Sequence, residues 1–300
     1  MTRATIAATL CAVATAHAAD AQPRGPLGFS LRAGALHQLE AGLEDGGGVA
    51  ISRFFVEPVA RYAFDPRTSV ALSIGYGETL YDFAGGGGLG GDEPWERIRD
   101  GRLSAALFFS PHDKVDAIVI PSVRFNAEAG ADIDDGRTEG VIAGATWRFS
   151  ERFSIGPGFG WFSELGGGSN VFPILLIDWE IVDRVSLSTG GGLGASQGPG
   201  LALDFEATDD WTVGVAGRYE NTRFRLDDSG PAPDGVGEDS AFPLVATAAY
   251  SPNPGVRLSA FAGVELGGEL ALEERDGRTV DRQDYDPAPV FGLAARRRSL

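Results

Sequence analysis

Apolar residues alternate with polar or small residues along much of this chain, and the stretch 171–226 is the clearest example. Apolar side chains stand at every second position of its successive segments, and many of the positions between them carry charge. A side-chain period of two is typical of β-strands, because consecutive residues of a strand face opposite sides of the sheet. The stretch therefore predicts strands with one apolar face and one charged face.

The connections between these segments alternate between short and long. The chain has room only for tight turns around Asp183 and Asp209, whereas residues 192–200 (GLGASQGPG) form a long, glycine-rich connection. Short turns alternating with long loops are typical of a transmembrane β-barrel. Because the pattern recurs from residue 29 to residue 300, we predict an all-β, antiparallel up-and-down barrel of about 14 strands, with about 12 as the alternative.

The first residues are predicted to be a secretion signal rather than part of the barrel. Arg3 supplies a positive start, an apolar core follows, and Ala16-His17-Ala18 fits a cleavage site. The predicted organisation is a signal peptide at 1–18, a short periplasmic segment at 19–28 and the barrel at 29–300. The single cysteine, Cys11, falls within the signal, so the mature chain is expected to have no disulfide.

The lengths of the connections also predict the orientation of the barrel. Short turns of bacterial barrels lie in the periplasm and long loops lie outside the cell. The sequence thus predicts the outer membrane of a Gram-negative bacterium, with both termini periplasmic and the loops 84–97, 227–240 and 273–287 outside. Aromatic residues such as Tyr62 and Trp179 gather beside the short turns, as in an interfacial girdle.

Composition narrows the partners and the chemistry. The net charge of −17 argues against nucleic acid. Expected partners are outer-membrane lipid and lipopolysaccharide, the outer-membrane insertion machinery, and small solutes or cations. Asp132, Asp134 and Asp135 resemble a fragment of a calcium loop, but a glycine follows one position too early and no glutamate completes the spacing. We therefore predict no metal site and no cofactor.

Catalytic candidates are scarce. After the signal, the histidines are His37 and His112, and no serine stands two residues from His37 on the same strand face. A serine on another strand stays open as its partner. The sequence predicts that the protein is not an enzyme, and a lipid-modifying enzyme is the third alternative for its function.

Charged residues on the inner face of the predicted strands are the best functional indication. An arginine facing lipid costs about 2–4 kcal/mol at the bilayer midplane, so these side chains are expected to face the interior. The candidates for lining the lumen are Arg32, Glu57, Arg61, Arg124, Arg148, Asp178, Glu180, Asp204, Glu206, Arg218, Glu220, Arg257 and Glu265.

These charges allow two interpretations. They line a water-filled channel, or they pair into a salt-bridged, closed interior. Side chains just fill a barrel of about eight strands, so about 14 strands enclose a wider lumen. This favours porin-like passive passage of small solutes, with a structural or adhesive barrel as the alternative.

Three runs carry a family resemblance: Phe172–Trp179, Gln197–Gly200 and Glu220–Leu226. They resemble a family of uncharacterised bacterial outer-membrane β-barrel proteins, a domain of unknown function, and the resemblance extends from Leu27 to the C-terminus. It implies the location and the fold but no activity. Such barrels usually end in an aromatic residue that the insertion machinery recognises, whereas this sequence ends Arg296-Arg297-Arg298-Ser299-Leu300.

Overall fold

A computed structural model describes residues 26–189 and 200–299 of the chain. The predicted secretion signal, most of the segment 19–28 and the glycine-rich connection up to residue 199 lie outside the described residues. The strands are β1 Leu27–Gly42, β2 Gly48–Asp65, β3 Thr68–Ala84, β4 Arg97–His112, β5 Val115–Glu128, β6 Arg137–Ser150, β7 Phe153–Ser163, β8 Ser169–Val182, β9 Val185–Thr189, β10 Gly200–Glu206, β11 Trp211–Arg218, β12 Glu220–Arg225, β13 Val236–Asn253, β14 Val256–Glu273, β15 Thr279–Tyr285 and β16 Ala288–Arg298. A short helix, α1 (Gly88–Asp92), and a 3-10 turn (Ile133–Gly136) lie in the connections.

The strands form one closed antiparallel sheet. Neighbours in sequence pair with each other around the wall, β1 pairs with β16, and β13 pairs with β14. β11 and β12 pair end to end with β13, and β15 and β16 pair end to end with β14. The 16 segments therefore make a barrel of 14 continuous strands, which confirms the predicted fold.

The outer face of the wall is apolar. Side chains such as Ile74, Val171 and Leu293 are 63%, 64% and 66% exposed, and the residues next to them in the strands are more buried. Water would not tolerate so much exposed apolar surface, whereas a closed barrel can present it to lipid because every wall strand finds hydrogen-bonding partners. The barrel thus spans a membrane through its strands. Among the described residues, no helix is long and apolar enough to cross a membrane.

Two of the predicted loops are shorter than the sequence indicated, since β13 already begins at Val236 inside the predicted loop 227–240 and β15 lies inside the predicted loop 273–287. The connection 84–97 has the predicted bounds, because β3 ends at Ala84 and β4 begins at Arg97, and it contains α1. Alternation of apolar and polar residues fails as a signal here because the inner face becomes apolar too. Val49 and Ile51, near the start of β2, are fully buried on that face.

At the end of the barrel with the long connections, which we call the loop end, part of the sheet leaves the wall. We call this part the cap sheet; it comprises residues 220–225, 236–241, 268–273 and 279–285, which pair with one another. Its edge strand β12 reaches β5, which is not its neighbour in the wall, and Arg225 pairs there with Ala127. Beside this contact the backbone N–H of Asp227 donates to Glu128 Oε2 at 3.1 Å. The cap sheet therefore crosses the loop end of the barrel.

Candidate functional site

An aromatic cluster fills the interior beneath the cap sheet. The Trp95 ring lies 5.2 Å from that of Phe224 and 5.9 Å from that of Tyr81, both edge to face. Trp95 and Phe224 are 2% and 0% exposed. Phe224 belongs to the cap sheet, Tyr81 to the wall strand β3 and Trp95 to the connection between β3 and β4. The cluster thus joins the cap sheet to the wall by burial of large aromatic side chains.

Below the aromatic cluster, one arginine of the wall holds several acidic residues. Arg53 Nη2 lies 2.6 Å from Asp239 Oδ2 and Arg53 Nη1 lies 3.0 Å from Glu220 Oε2, while Glu265 Oε1 is 4.0 Å away. The Tyr81 hydroxyl donates to the same Asp239 oxygen at 2.8 Å. We call these residues the Arg53 cluster. Since Asp239 and Glu220 lie in the cap sheet, the cluster fastens that sheet to β2 by charge-assisted hydrogen bonds.

A second arginine pairs with carboxylates within the cap sheet. Arg223 on β12 forms ion pairs with Glu238 on β13 and Glu273 on β14, the latter at 2.5 Å. Glu164, in the connection between β7 and β8, lies close enough for the charges of Arg223, Glu238 and Glu273 to act on it. Burial raises the pKa of Glu164 above its ordinary value, although the positive charge of Arg223 opposes this.

A cavity of about 80 Å³, lined by both charged and apolar side chains, lies beside the Arg53 cluster. Both donors and acceptors face it, because Arg102, Arg124, Asp100, Glu57 and Glu220 are among its lining residues. The guanidinium of Arg124 also stacks over the Phe162 ring, 4.4 Å from its centre. The cavity can therefore hold water or a small solute that presents both donor and acceptor groups.

The residues that the sequence predicted for the interior fall into two groups. The first group lies in and near the Arg53 cluster, and all of it is buried except Arg32, whose side chain is 26% exposed and pairs with Glu57 at 2.9 Å. Its members are Arg32, Glu57, Arg124, Arg218, Glu220 and Glu265.

The second group is more accessible and lies near the tight turns, at what we call the short-turn end. Its members are Arg61, Arg148, Asp178, Glu180, Asp204, Glu206 and Arg257. Glu180 on β8 and Asp204 on β10 both lie opposite Ser186 of the intervening strand β9. Arg148 Nη2 lies 2.5 Å from Asp116 Oδ2. The carboxylates of β8 and those of β10 therefore lie on either side of one short strand, β9.

Apolar side chains interrupt the charged inner face. Ile142 and Phe172 belong to a buried cluster on β4 to β8, and Val245 and Phe261 belong to another that includes β1, β10, β11 and β16. Apolar side chains that line a passage resist the entry of ions by dewetting. The interior is thus less uniformly polar than the charged residues alone indicated.

Sequence reasoning did not find Arg53, Tyr81 or Asp239. Arg53 lies an even number of residues from Glu57 and Arg61 in β2, so it faces the same side of the strand. A predicted second strand that began a few residues earlier would have placed Arg53 inside. Asp239 lies within the predicted exterior loop 227–240, and its sequence context gives no sign that it is buried.

His37 and the acidic run 132–135 are the residues that the sequence offered for chemistry. His37 Nδ1 lies 2.8 Å from Ser52 Oγ on the neighbouring strand, so a serine does stand beside this histidine on the outer face. Asp132 accepts a hydrogen bond from the backbone N–H of Asp134 at 3.0 Å and caps the 3-10 turn. In the part of the chain that the structure describes, no group of three or more potential ligands is placed to hold a metal ion.

Comparisons with known proteins give likenesses of shape. No protein-family model matches the chain, and no curated protein matches it either. Among solved structures, an outer membrane channel from Pseudomonas putida F1 is 12% identical, with a TM-score of 0.48, over 93% of this chain and 97% of that one. A FadL homologue from Pseudomonas aeruginosa is 14% identical, with a TM-score of 0.45, over 90% of each chain. The KdgM porin is 7% identical, with a TM-score of 0.35, over 90% of this chain and 99% of that one. Likenesses at this level do not indicate a shared function.

Proposed function

We propose that the chain is an integral outer-membrane protein of a Gram-negative bacterium that passes small solutes through its interior when the cap sheet moves aside. The short turns and both termini then lie in the periplasm, and the cap sheet faces the outside of the cell. The protein is proposed to act as a channel and not as an enzyme.

The cavity beside the Arg53 cluster is the observation that supports passage. Its lining combines guanidinium and carboxylate groups with apolar side chains such as Phe55 and Leu165, and the charged groups can stabilise a hydrated polar solute. On the short-turn side, the accessible charges of β8 and β10 continue the polar face. The aromatic cluster blocks the loop end, so this arrangement corresponds to a closed state of the proposed channel.

The Arg53 cluster also supports a second candidate, a structural barrel whose interior stays closed. Pairing of Arg53 with Asp239 and Glu220 satisfies buried charges that would otherwise be costly. In a structural barrel the cap sheet would remain in place permanently. The two candidates differ in whether the cap sheet moves.

A reversible cross-link between the cap sheet and the wall tests this difference. Arg225 and Ala127 are direct pairing partners, so Ala127→Cys with Arg225→Cys should form a disulfide that locks β12 to β5. In planar bilayers we expect the reduced variant and the wild type to conduct, and the oxidised variant to conduct only after a reductant is added. Leu244→Cys with Val264→Cys, which joins neighbouring wall strands, is the matched control and should leave conductance unchanged.

Each alternative result has a definite meaning. Wild-type barrels that are folded but never conduct, together with a silent reduced variant, would support the structural barrel. Conductance that is insensitive to the cross-link would show that solutes pass without movement of the cap sheet.

A further inference from the structure

A groove of about 1070 Å³ lies at the short-turn end of the barrel. Outward-facing apolar side chains of four wall strands line it, including Leu31 of β1, Leu72 and Ile74 of β3 and Leu103 of β4. Each of these side chains is roughly half exposed or more. The groove therefore continues the lipid-facing surface of the barrel as a depression in which a hydrocarbon chain can lie.

The rim of the groove is basic. Arg297 and Arg298 line it, and no aspartate or glutamate does. Arg297 lies directly opposite Leu31 of β1 and Val256 of β14. Arg297 lies an even number of residues from Phe291 and Leu293, which are exposed on the outer face of β16. Its guanidinium therefore stands on the same, lipid-facing side. Arg297 thus gives this edge of the groove a positive charge in a chain whose net charge is −17.

Arg297 stands at the level of a tight turn, because it lies opposite Val256, the first residue of β14. At the same end of the barrel, Tyr62 packs edge to face on Phe64 at 5.1 Å near the tight turn of β2 and β3. Aromatic side chains of this kind mark the interface between hydrocarbon and water. An arginine at that depth can reach the phosphate layer while its stem stays in hydrocarbon.

Hydrogen bonds of Arg298 and Ser299 hold the rim of the groove against the neighbouring strands. The backbone N–H of Ser299 donates to the carbonyl of Phe29 at 2.7 Å, and the N–H of Phe29 donates to Ser299 Oγ at 2.9 Å. The N–H of Arg298 donates to the carbonyl of Gly255 at 2.7 Å. The backbone of Arg297 is therefore fixed, since Arg297 pairs with both neighbouring strands and the two residues after it are hydrogen-bonded to the wall.

We propose that this groove binds an anionic phospholipid of the periplasmic leaflet, with an acyl chain along Leu31, Ile74 and Leu103 and the phosphate on Arg297. Guanidinium and phosphate form paired, charge-assisted hydrogen bonds. A headgroup with an ammonium, such as ethanolamine, would find no carboxylate on the lining, so phosphatidylglycerol is preferred. The assignment to a leaflet rests on the orientation proposed above, whereas the binding itself does not depend on whether the barrel conducts.

Counting retained lipids tests the proposal. The full chain is folded into vesicles of phosphatidylethanolamine and phosphatidylglycerol, extracted in mild detergent and weighed with its bound lipids by native mass spectrometry. We expect the wild type to retain phosphatidylglycerol in preference to phosphatidylethanolamine. Arg297→Gln should lower the ratio of the two retained lipids about fivefold, which is the effect of one arginine at a membrane surface. Arg275→Gln, at an exposed position of the loop end, is the matched control and should behave as the wild type does.

Two further variants separate charge from shape. Arg297→Lys should keep most of the selectivity, because the charge remains. Leu103→Trp, which fills the groove, should lower retention of both lipids. Equal retention of the two lipids by the folded wild type, or full selectivity in Arg297→Gln, would overturn the proposal.

Discussion

The interior of the loop end and the interior of the short-turn end carry similar charges in different surroundings. In the Arg53 cluster the side chain of Asp239 is 1% exposed and that of Arg53 is 13% exposed. At the short-turn end, the side chains of Arg148 and Asp116 are 38% and 34% exposed in an ion pair of similar length. The cap sheet accounts for the difference, since it excludes water from one end only.

The comparison shows that one arginine–carboxylate contact can have two roles. Where water is excluded, each charge depends on its partner, and the loss of one partner leaves an uncompensated buried charge. Where water has access, solvent stabilises both charges and the pair contributes little. Charges at the loop end are therefore suited to holding a structure, and charges at the short-turn end to meeting ions.

The largest expected effect follows from removing the central cation of the Arg53 cluster. Arg53→Ala should destabilise the folded barrel by about 3–5 kcal/mol, because Asp239, Glu220 and Glu265 lose their counter-charge. Equilibrium unfolding in urea, in detergent micelles, measures it. Arg148→Ala, the matched variant at the short-turn end, should cost at most about 1 kcal/mol. Equal losses for the two variants would contradict the distinction between the two ends.

A glycine in the cap sheet provides a second, smaller test. A methyl group on Gly237 would overlap the ring of Phe224. Gly237→Ala should therefore destabilise the loop end by about 1–3 kcal/mol through overpacking. Faster proteolysis in the connection between β12 and β13 would report it. Gly28→Ala, at the short-turn end, has no atom within 4 Å of the added carbon and should be tolerated. If both variants were equally resistant to protease, the packing beneath the cap sheet would be looser than described.

The smallest effect is expected at the short-turn end, in ion preference rather than stability. Replacing Asp178 and Asp204 with Asn and Glu180 and Glu206 with Gln should shift the reversal potential of an open channel toward anions. Unfolding in urea should change little, because these side chains are partly exposed. The shift should shrink as salt rises, since the Debye length falls from about 10 Å at 0.1 M to about 3 Å at 1 M.

Two results would contradict that prediction. A shift that is independent of salt would mean that these carboxylates act at short range in a dry site. A wild type that does not conduct, with a variant that conducts well, would show that the four carboxylates help to close the interior.

The barrel wall was predictable because its two faces differ in polarity. Alternation assigned Glu57, Glu180 and Asp204 to the inner face, and their burial and cross-strand partners agree with it. The approximate strand number and the positions of the tight turns followed from the same pattern. That these residues line a conducting lumen stays a prediction.

The cap sheet was not predictable by this reasoning. The alternating pattern assigns 220–225 to the wall, and the segments around 236–240 and 279–285 fall in predicted acidic loops, because their apolar residues are scattered among charged ones. Phe224 and Trp95 meet only because β12 crosses the barrel, and such a contact between distant segments leaves no periodic signal in the sequence. Local patterns thus predicted the wall, while the closure of the loop end depended on tertiary packing.

The seam between β1 and β16 has a consequence for assembly. Its pairs join residues as far apart as Ser30 and Arg298, whereas most other wall pairs join neighbouring hairpin strands. Closing so long a loop has the largest entropic cost in the fold and slows the step that forms it. Until this seam forms, β1 and β16 each present an unpaired strand edge that can recruit another chain. The barrel therefore becomes safe from edge-to-edge aggregation only when its last strand is in place.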